Sequence, residues 1–544
     1  MINRIFYSLL ISLFATCSIS GQYVSSVFYP DTTKSVSGRN EEKSVIYSNS
    51  INTTDLKKYL YKLASKEFAG RELGYEGNKK AGDYIAESLA KMEAPMVPGQ
   101  TSYFQPIALT YTSWKDNTIK IGETDHRHLW DYLAFPNKNS DMANLNLEEV
   151  VFMGYGIEDN KYNDYKKANV KGKVIMINEG EPMINDSVYR ITKTTEESKW
   201  SKANDEKLKL AKKNEVTLVL IIVNDIKKML GENRRFLMGP SIDMANTVGK
   251  AYDLPNHIFI SSTMAKNIIG DNEKAILKAR NNITKKGKFK PVTLKKPIMI
   301  NMVRKQTLVE GRNIAAYIEG TSKKEECIIV SAHYDHIGQK GDVVYYGADD
   351  NASGSTTLLE LTEGYVQALK NGDQPKRSIM FTWVTGEEKG LLGSNYYVEN
   401  PLIPLANSVA NINIDMVGRI DKKYTESGLE SYSYVIGSDR LSTDLHKINE
   451  EVSENYSKLI CDYTYNSESD PNRYYFRSDH YNFAKKGIPA IFFFSGVHED
   501  YHQPGDTPDK IMYEKMVTIG KHVFNLIWKL ADRDQRIVVD GVVK

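Results

Sequence analysis

Cysteine is scarce, with three residues in 544, too few for a disulfide framework or a cysteine-built metal clip. Only 17 prolines interrupt the chain, and 41% of its residues are hydrophobic and 26% charged, which excludes collagen-like, low-complexity and disordered classes. No basic run could track a phosphate backbone, and 71 Lys and Arg against 69 Asp and Glu leave a net charge of +2; nucleic acid is not an expected partner. Beyond the N-terminus no apolar stretch reaches the roughly 20 residues that span a bilayer. The length favours several domains with ample core.

At the N-terminus, Arg4 precedes the apolar run Ile5 to Ala15, and small polar residues follow through Gly21. This reads as a signal peptide over residues 1–21, hence export to the periplasm or beyond. Cys17 could alternatively carry a lipid, although Thr16 and Phe14 fit that reading poorly. Its removal leaves Cys327 and Cys461, each inside an apolar segment, expected as buried thiols.

Residues 22–50, rich in Ser, Thr and Asn, read as a leader. Leu56, Tyr59, Leu60 and Leu63 recur at helical spacing behind Thr53 and Thr54 as caps, and a second helix is expected over residues 78–92. The Gly70 to Gly74 segment between them reads as a connecting turn. From about residue 148 short strands and turns alternate, and the expected organisation is a first segment of the main domain over 51–140, a compact β-rich insert over 141–300 and a second segment of the main domain over 301–544. In the last segment, apolar runs such as Cys327–Ser331, Ser378–Val384, Ala410–Asp415 and Ile488–Phe494 alternate with helical patterns at 358–369 and 516–530. That alternation predicts an α/β fold, a mixed, mostly parallel sheet with helices on both faces.

In such sheets the site lies beyond the carboxyl ends of the strands. Four ends carry His333-Tyr-Asp335-His336, Gly-Glu387-Glu388, Asp415-Met-Val-Gly and His498-Glu-Asp-Tyr501-His502, and Asp349-Asp350-Asn351 opens a helix. Carboxylates crowded into one pocket resist ionising unless cations compensate them, and imidazole with carboxylate suits zinc. The charges of two Zn²⁺ are matched by Asp350, Glu388, Asp415 and a hydroxide, with His333 and His502 as neutral ligands. Glu387 is then left over as a base. Asp349-x-Asn351-x-Ser353-Gly354-x5-Glu360 also fits the spacing of a calcium-binding EF-hand loop, but strand and turn precede it where a helix is required.

These motifs resemble the zinc-dependent aminopeptidases related to bacterial leucyl aminopeptidase, two-zinc enzymes whose catalytic domain is often interrupted by a protease-associated domain. Ser-Ala-His333-Tyr-Asp335-His336, Gly-Ala-Asp349-Asp350-Asn-Ala-Ser-Gly, Gly-Glu387-Glu388-Lys-Gly, Ile-Asp415-Met-Val-Gly, Ser478-Asp479-His480 and Tyr501-His502-Gln-Pro-Gly-Asp506 stand in the family's order. Val150 to Gly156 is similar to the opening of the protease-associated domain. The resemblance implies that Asp350 bridges two zinc ions, His333 and Asp415 hold one, and Glu388 and His502 hold the other. It implies further that Asp335 orients His333, Glu387 is the general base and Tyr501 donates to the oxyanion. Peptides with a free amino terminus are the implied substrates. Glutaminyl-peptide cyclase and a non-catalytic receptor ectodomain share the fold and remain as alternatives.

Overall fold

The computed structural model describes residues 38–166, 168–202, 204–234, 237, 239–245 and 253–542. The expected signal peptide, Cys17 and the first part of the expected leader lie outside the described residues; Gly38–Ser48, in its last part, is helical.

A 15-stranded mixed sheet runs through the chain from Ser44 onward. Its heart is four mutually parallel neighbours: Arg377–Val384, Lys323–His333, Ser408–Ile414 and Ala490–Phe494. Nearly every residue of these strands is buried, as a parallel sheet covered on both faces requires. The helices Thr53–Leu63, Glu76–Met92, Gly354–Lys370 and Tyr513–Asp532 pack with them in one large apolar cluster that includes Leu56, Ile85, Leu359, Phe381 and Phe524. The first of these helices is capped by Asn52, whose side chain accepts from the Asp55 amide, rather than by Thr53 or Thr54; Asn52 is the residue that stays extended while the next residues coil.

The sheet continues through two long antiparallel strands, Phe104–Ile121 and Val292–Ile318, the latter 27 residues long. One end of the second strand pairs with Arg377–Val384 and the other with Met142–Phe152. This ribbon leads into a further parallel set, Met142–Phe152, Val174–Asn178, Leu218–Ile222 and Asn256–Ile260. That region has its own two apolar clusters, one around Phe152, Leu220 and Ile258, the other around Ile175, Val219 and Trp200. Residue 300 falls inside the Val292–Ile318 strand, so the passage from one core to the next runs along hydrogen-bonded strands. Cys327 is buried and Cys461 half-buried, both as free thiols. No helix among the described residues is long and apolar enough to cross a membrane.

Candidate metal centre

Because the four central strands are parallel, their carboxyl ends share one edge, and each delivers polar residues there. His333 ends its strand and Asp335 and His336 follow; Glu387 and Glu388 follow Val384; Asp415 follows Ile414; Tyr501 and His502 lie beyond Phe494. Asp350 arrives from the segment before the Gly354–Lys370 helix. Asn351 locks that segment in place: its amide donates to the Ile414 carbonyl at 3.0 Å, and its oxygen accepts from Gly354 at 2.9 Å and Met416 at 3.2 Å. The turn before it needs Gly347, at φ +56°, where a Cβ would lie 2.2 Å from the Asp350 carbonyl and 2.5 Å from the His336 ring.

Two donor sets share Asp350. His333, Asp350 and Asp415 form one, and His336, Asp350, Glu388 and His502 the other, with candidate ligand atoms within 4.8 Å of one another in each. His333 Nε2 is 3.3 Å from Asp415 Oδ1 and 3.4 Å from Asp350 Oδ1. His502 Nε2 is 3.0 Å from Asp350 Oδ2 and 3.2 Å from Glu388 Oε1. Sequence reasoning left His336 without a role. Its Nδ1 lies 2.9 Å from Glu388 Oε1 and 3.7 Å from Asp350 Oδ2, the ring is fully buried, and its Nε2 forms no hydrogen bond.

Glu387 belongs to neither set. Its Oε2 lies 4.0 Å from His333 Nε2. Asp335 sits beneath both glutamates, accepting from the Glu387 amide at 3.2 Å and the Glu388 amide at 3.4 Å. His333 Nδ1 is 3.2 Å from the Asp335 carbonyl and 3.6 Å from its carboxylate. Ser478 Oγ donates to Asp415 Oδ2 at 2.6 Å. Tyr501 stacks on His502, ring centroids 3.9 Å apart, and its hydroxyl accepts from Arg477 at 3.5 Å.

The segment read as a simple turn at 70–74 contributes a brace. Arg71, 1% exposed, donates to the carbonyls of Tyr334, Leu63, Tyr346 and Gly347 at 2.7–2.8 Å. Those carbonyls belong to the end of the first core helix and to the loops carrying His333 and Asp350.

The electrostatics fit a cation site. Burial alone would lower the His502 imidazole, but Asp350 and Glu388 bonded to it and charged beside it push it up to about 10. For Glu388, burial and Asp350 raise the carboxyl, yet His336 and His502 bring it down to about 2. Burial, opposed by His333 and joined by Glu388 and Asp415, holds Glu387 well above the ordinary carboxylate range. The acids of the set thus favour a cation among them, and the mixture of imidazole and carboxylate suits zinc. The calcium alternative is not assembled: Glu360 points elsewhere, its Oε2 accepting from the Asn52 amide at 3.2 Å.

A family model described as peptidase family M28 matches residues 313–527. A probable leucine aminopeptidase of Arthroderma otae is 34% identical over 226 residues, 40% of this chain and 57% of the relative; the chain thus spans little more than half the length of that relative. Among solved structures, an aminopeptidase from Aneurinibacillus sp. strain AM-1 aligns over 92% of this chain and 98% of its own, with TM-score 0.53 and 19% identity. A zinc aminopeptidase from Bacillus subtilis aligns over 91% and 99%, with TM-score 0.47 and 18% identity. Residues 313–527, which carry both donor sets, Glu387 and Tyr501, are thus the part of the chain similar to peptidase family M28, and the chain around them has the fold of the Aneurinibacillus aminopeptidase.

Proposed function

We propose that the chain is a di-zinc metallo-aminopeptidase that hydrolyses the N-terminal peptide bond of peptides. The observation that carries this reading is the pair of donor sets joined through Asp350, with a further carboxylate, Glu387, beside them and in neither. His333 and Asp415 would hold one ion and Glu388 and His502 the other, with His336 positioned to join the second set. Bound divalent cations supply Lewis acidity, polarising the scissile carbonyl and making water a better nucleophile.

The remaining steps fall to the chain's own side chains. Glu387 takes a proton from the attacking water and returns it to the leaving amine, a task that suits a carboxyl whose pKa burial has raised. Tyr501 is half-buried, and that burial with Asp350, Glu388 and Glu387 nearby keeps its phenol protonated; it donates to the oxygen that becomes negative in the tetrahedral intermediate. Asp335 holds His333 in orientation from behind. Beside the clusters a cavity lined by Met416, Tyr474, Phe492, Phe494 and Val497 offers an apolar floor for the N-terminal side chain, which agrees with the leucine in the relative's name.

Export through residues 1–21, and a protease-associated identity for residues 141–300, belong to the same reading. So does a free amino terminus on the substrate. The test is Glu387→Gln. We expect turnover to fall by two to three orders of magnitude or more, as about 10²–10⁴-fold is the usual share of general acid–base catalysis, while elemental analysis still finds two zinc ions per chain. Loss of both ions in that variant, with activity retained in Glu388→Gln, would reverse the roles of Glu387 and Glu388.

A further inference from the structure

One cation lines the cavity beside the donor sets. Arg477 lies among Asp350, Glu387, Asp415 and Tyr501 on one side and Tyr474, Phe492 and Phe494 on the other. Its side chain is exposed at the rim. Its guanidinium donates to the Tyr501 hydroxyl at 3.5 Å and lies over the Tyr474 ring, 5.0 Å from its centroid. Among the described residues no carboxylate is recorded in an ion pair with it, although Arg419, nearby in sequence terms to the same strand ends, is held by Glu499 and Asp500. A guanidinium presents five donors in a planar fork matched to a carboxylate, and here only one long contact and a ring face occupy it.

We propose that Arg477 binds the terminal carboxylate of a short substrate, which makes dipeptides with both ends free the preferred class. The inference rests on the aminopeptidase reading above. If Tyr501 faces the scissile carbonyl oxygen, the residue on the leaving side of that bond lies next to the tyrosine hydroxyl, and in a dipeptide that residue carries the terminal carboxylate. The guanidinium reaches the same hydroxyl from the solvent side. The apolar floor takes the first side chain, so the charge at the rim is left for the second residue. In a longer peptide the equivalent position holds an uncharged amide, and the charge-assisted pair is lost.

The alternative source of a carboxylate is an acidic first side chain, and the experiment separates the two. Hydrolysis is measured for leucyl-alanine and its C-terminal amide, and for glutamyl and glutaminyl amide reporters, with zinc-loaded wild type and Arg477→Gln. The expected result is a free-acid preference of about tenfold in kcat/KM for the wild-type dipeptide pair, equivalent to about 1.4 kcal/mol, which disappears in the variant. Arg477→Lys should retain part of it. A general loss through Tyr501 would scale both members of the pair and leave their ratio intact, so a ratio unchanged by the substitution overturns the proposal. So does a preference confined to glutamyl over glutaminyl reporters. Cleavage of both dipeptides at equal rates sinks the carboxylate role and leaves the aminopeptidase reading standing; cleavage of neither, with two ions bound, removes both.

Discussion

Replacing Arg71 by Met tests whether the candidate metal centre is held in shape by a residue outside both donor sets. The four carbonyls it serves, on Leu63, Tyr334, Tyr346 and Gly347, are inside the protein, and each bond from a charged donor is worth about 1.5–3 kcal/mol. The lower limit of the sum is about 6 kcal/mol. Against it stands the strain of the buried cation: burial, opposed by Asp350, Asp506, Asp335 and Glu388, pulls the guanidinium down to about 10, a shift equivalent to about 3 kcal/mol. The net expectation is a loss of about 3 kcal/mol, or roughly 3 °C in the midpoint of a chain this long. Metal affinity supplies a test of sign. Removing a positive charge beneath the carboxylates would by itself tighten cation binding, whereas losing the brace would weaken it by disordering the His333 and Asp350 loops. We expect weaker zinc binding by competition with a chelator, and Arg71→Lys, which keeps the charge without the fork, should behave like the Met variant. Tighter zinc binding with an unshifted midpoint would refute the bracing argument.

Two further outcomes follow from the same structure. Glu360, 2% exposed, is pushed up to about 8 by burial, aided by Glu363 and Asp55 against the Asn52 amide; a carboxyl raised this way binds more protons folded than unfolded, so its contribution to stability falls as pH rises from about 4.5 toward 8. Glu360→Gln should therefore change little near pH 4.5 and stabilise by about 3–5 kcal/mol above pH 8, read from thermal denaturation at matched pH; a gain that shrinks with rising pH would contradict the assignment. For the reaction itself, peptides with a free amino terminus should shorten one residue at a time while their N-acetylated counterparts persist, followed by mass spectrometry. Equal cleavage of the two, or early internal fragments, would argue for an endopeptidase, and pyroglutamyl products with ammonia for a cyclase.

The parts of the fold legible in the sequence are those where one rule operates alone. Strands buried on both faces appear as unbroken apolar runs, so Lys323–His333, Arg377–Val384, Ser408–Ile414 and Ala490–Phe494 are visible within a few residues of their ends, and the polar residues after each run mark the edge where they converge. The ribbon strand Phe104–Ile121 escapes that rule. Its burial alternates at the two ends and not in the middle, where polar residues such as Lys115, Asp116 and Asn117 interrupt it and its register slips between Trp114 and Asp116. Arg71 and His336 were hidden for a different reason: what each does depends on loops distant in sequence. Arg71 joins carbonyls more than 260 positions apart from it, and His336 meets Glu388 only because Gly347 and the Glu387–Glu388 turn fold over the same strand ends. A basic residue between two helices, or a histidine one step past Asp335, carries no period that would reveal this.

The acids at this edge divide by what neutralises them, and the division bears on their roles. Asp335 accepts the backbone amides of Glu387 and Glu388, and Asp506 accepts those of Asp349 and Asp350; Asp349 in turn accepts from Gly418 at 2.6 Å. Fixed dipoles of this kind stabilise a carboxylate, and His498 lies 3.4 Å from Asp349 and His333 lies 3.6 Å from Asp335 besides, so these three serve as framework. Asp350 instead faces imidazoles, His333 on one oxygen and His336 and His502 on the other. An imidazole compensates a buried carboxylate only while it carries a proton or shares a metal ion with it. Near neutral pH a metal ion at His502 would therefore compete with a proton, and its binding would release protons from the histidines that receive it. Glu387 has the weakest such support: the framework amides lie behind it, and its imidazole neighbour, His333, is 4.0 Å away. Its charge is the least supported of the group, which is the condition under which a carboxyl can both take up a proton during a reaction and give it back.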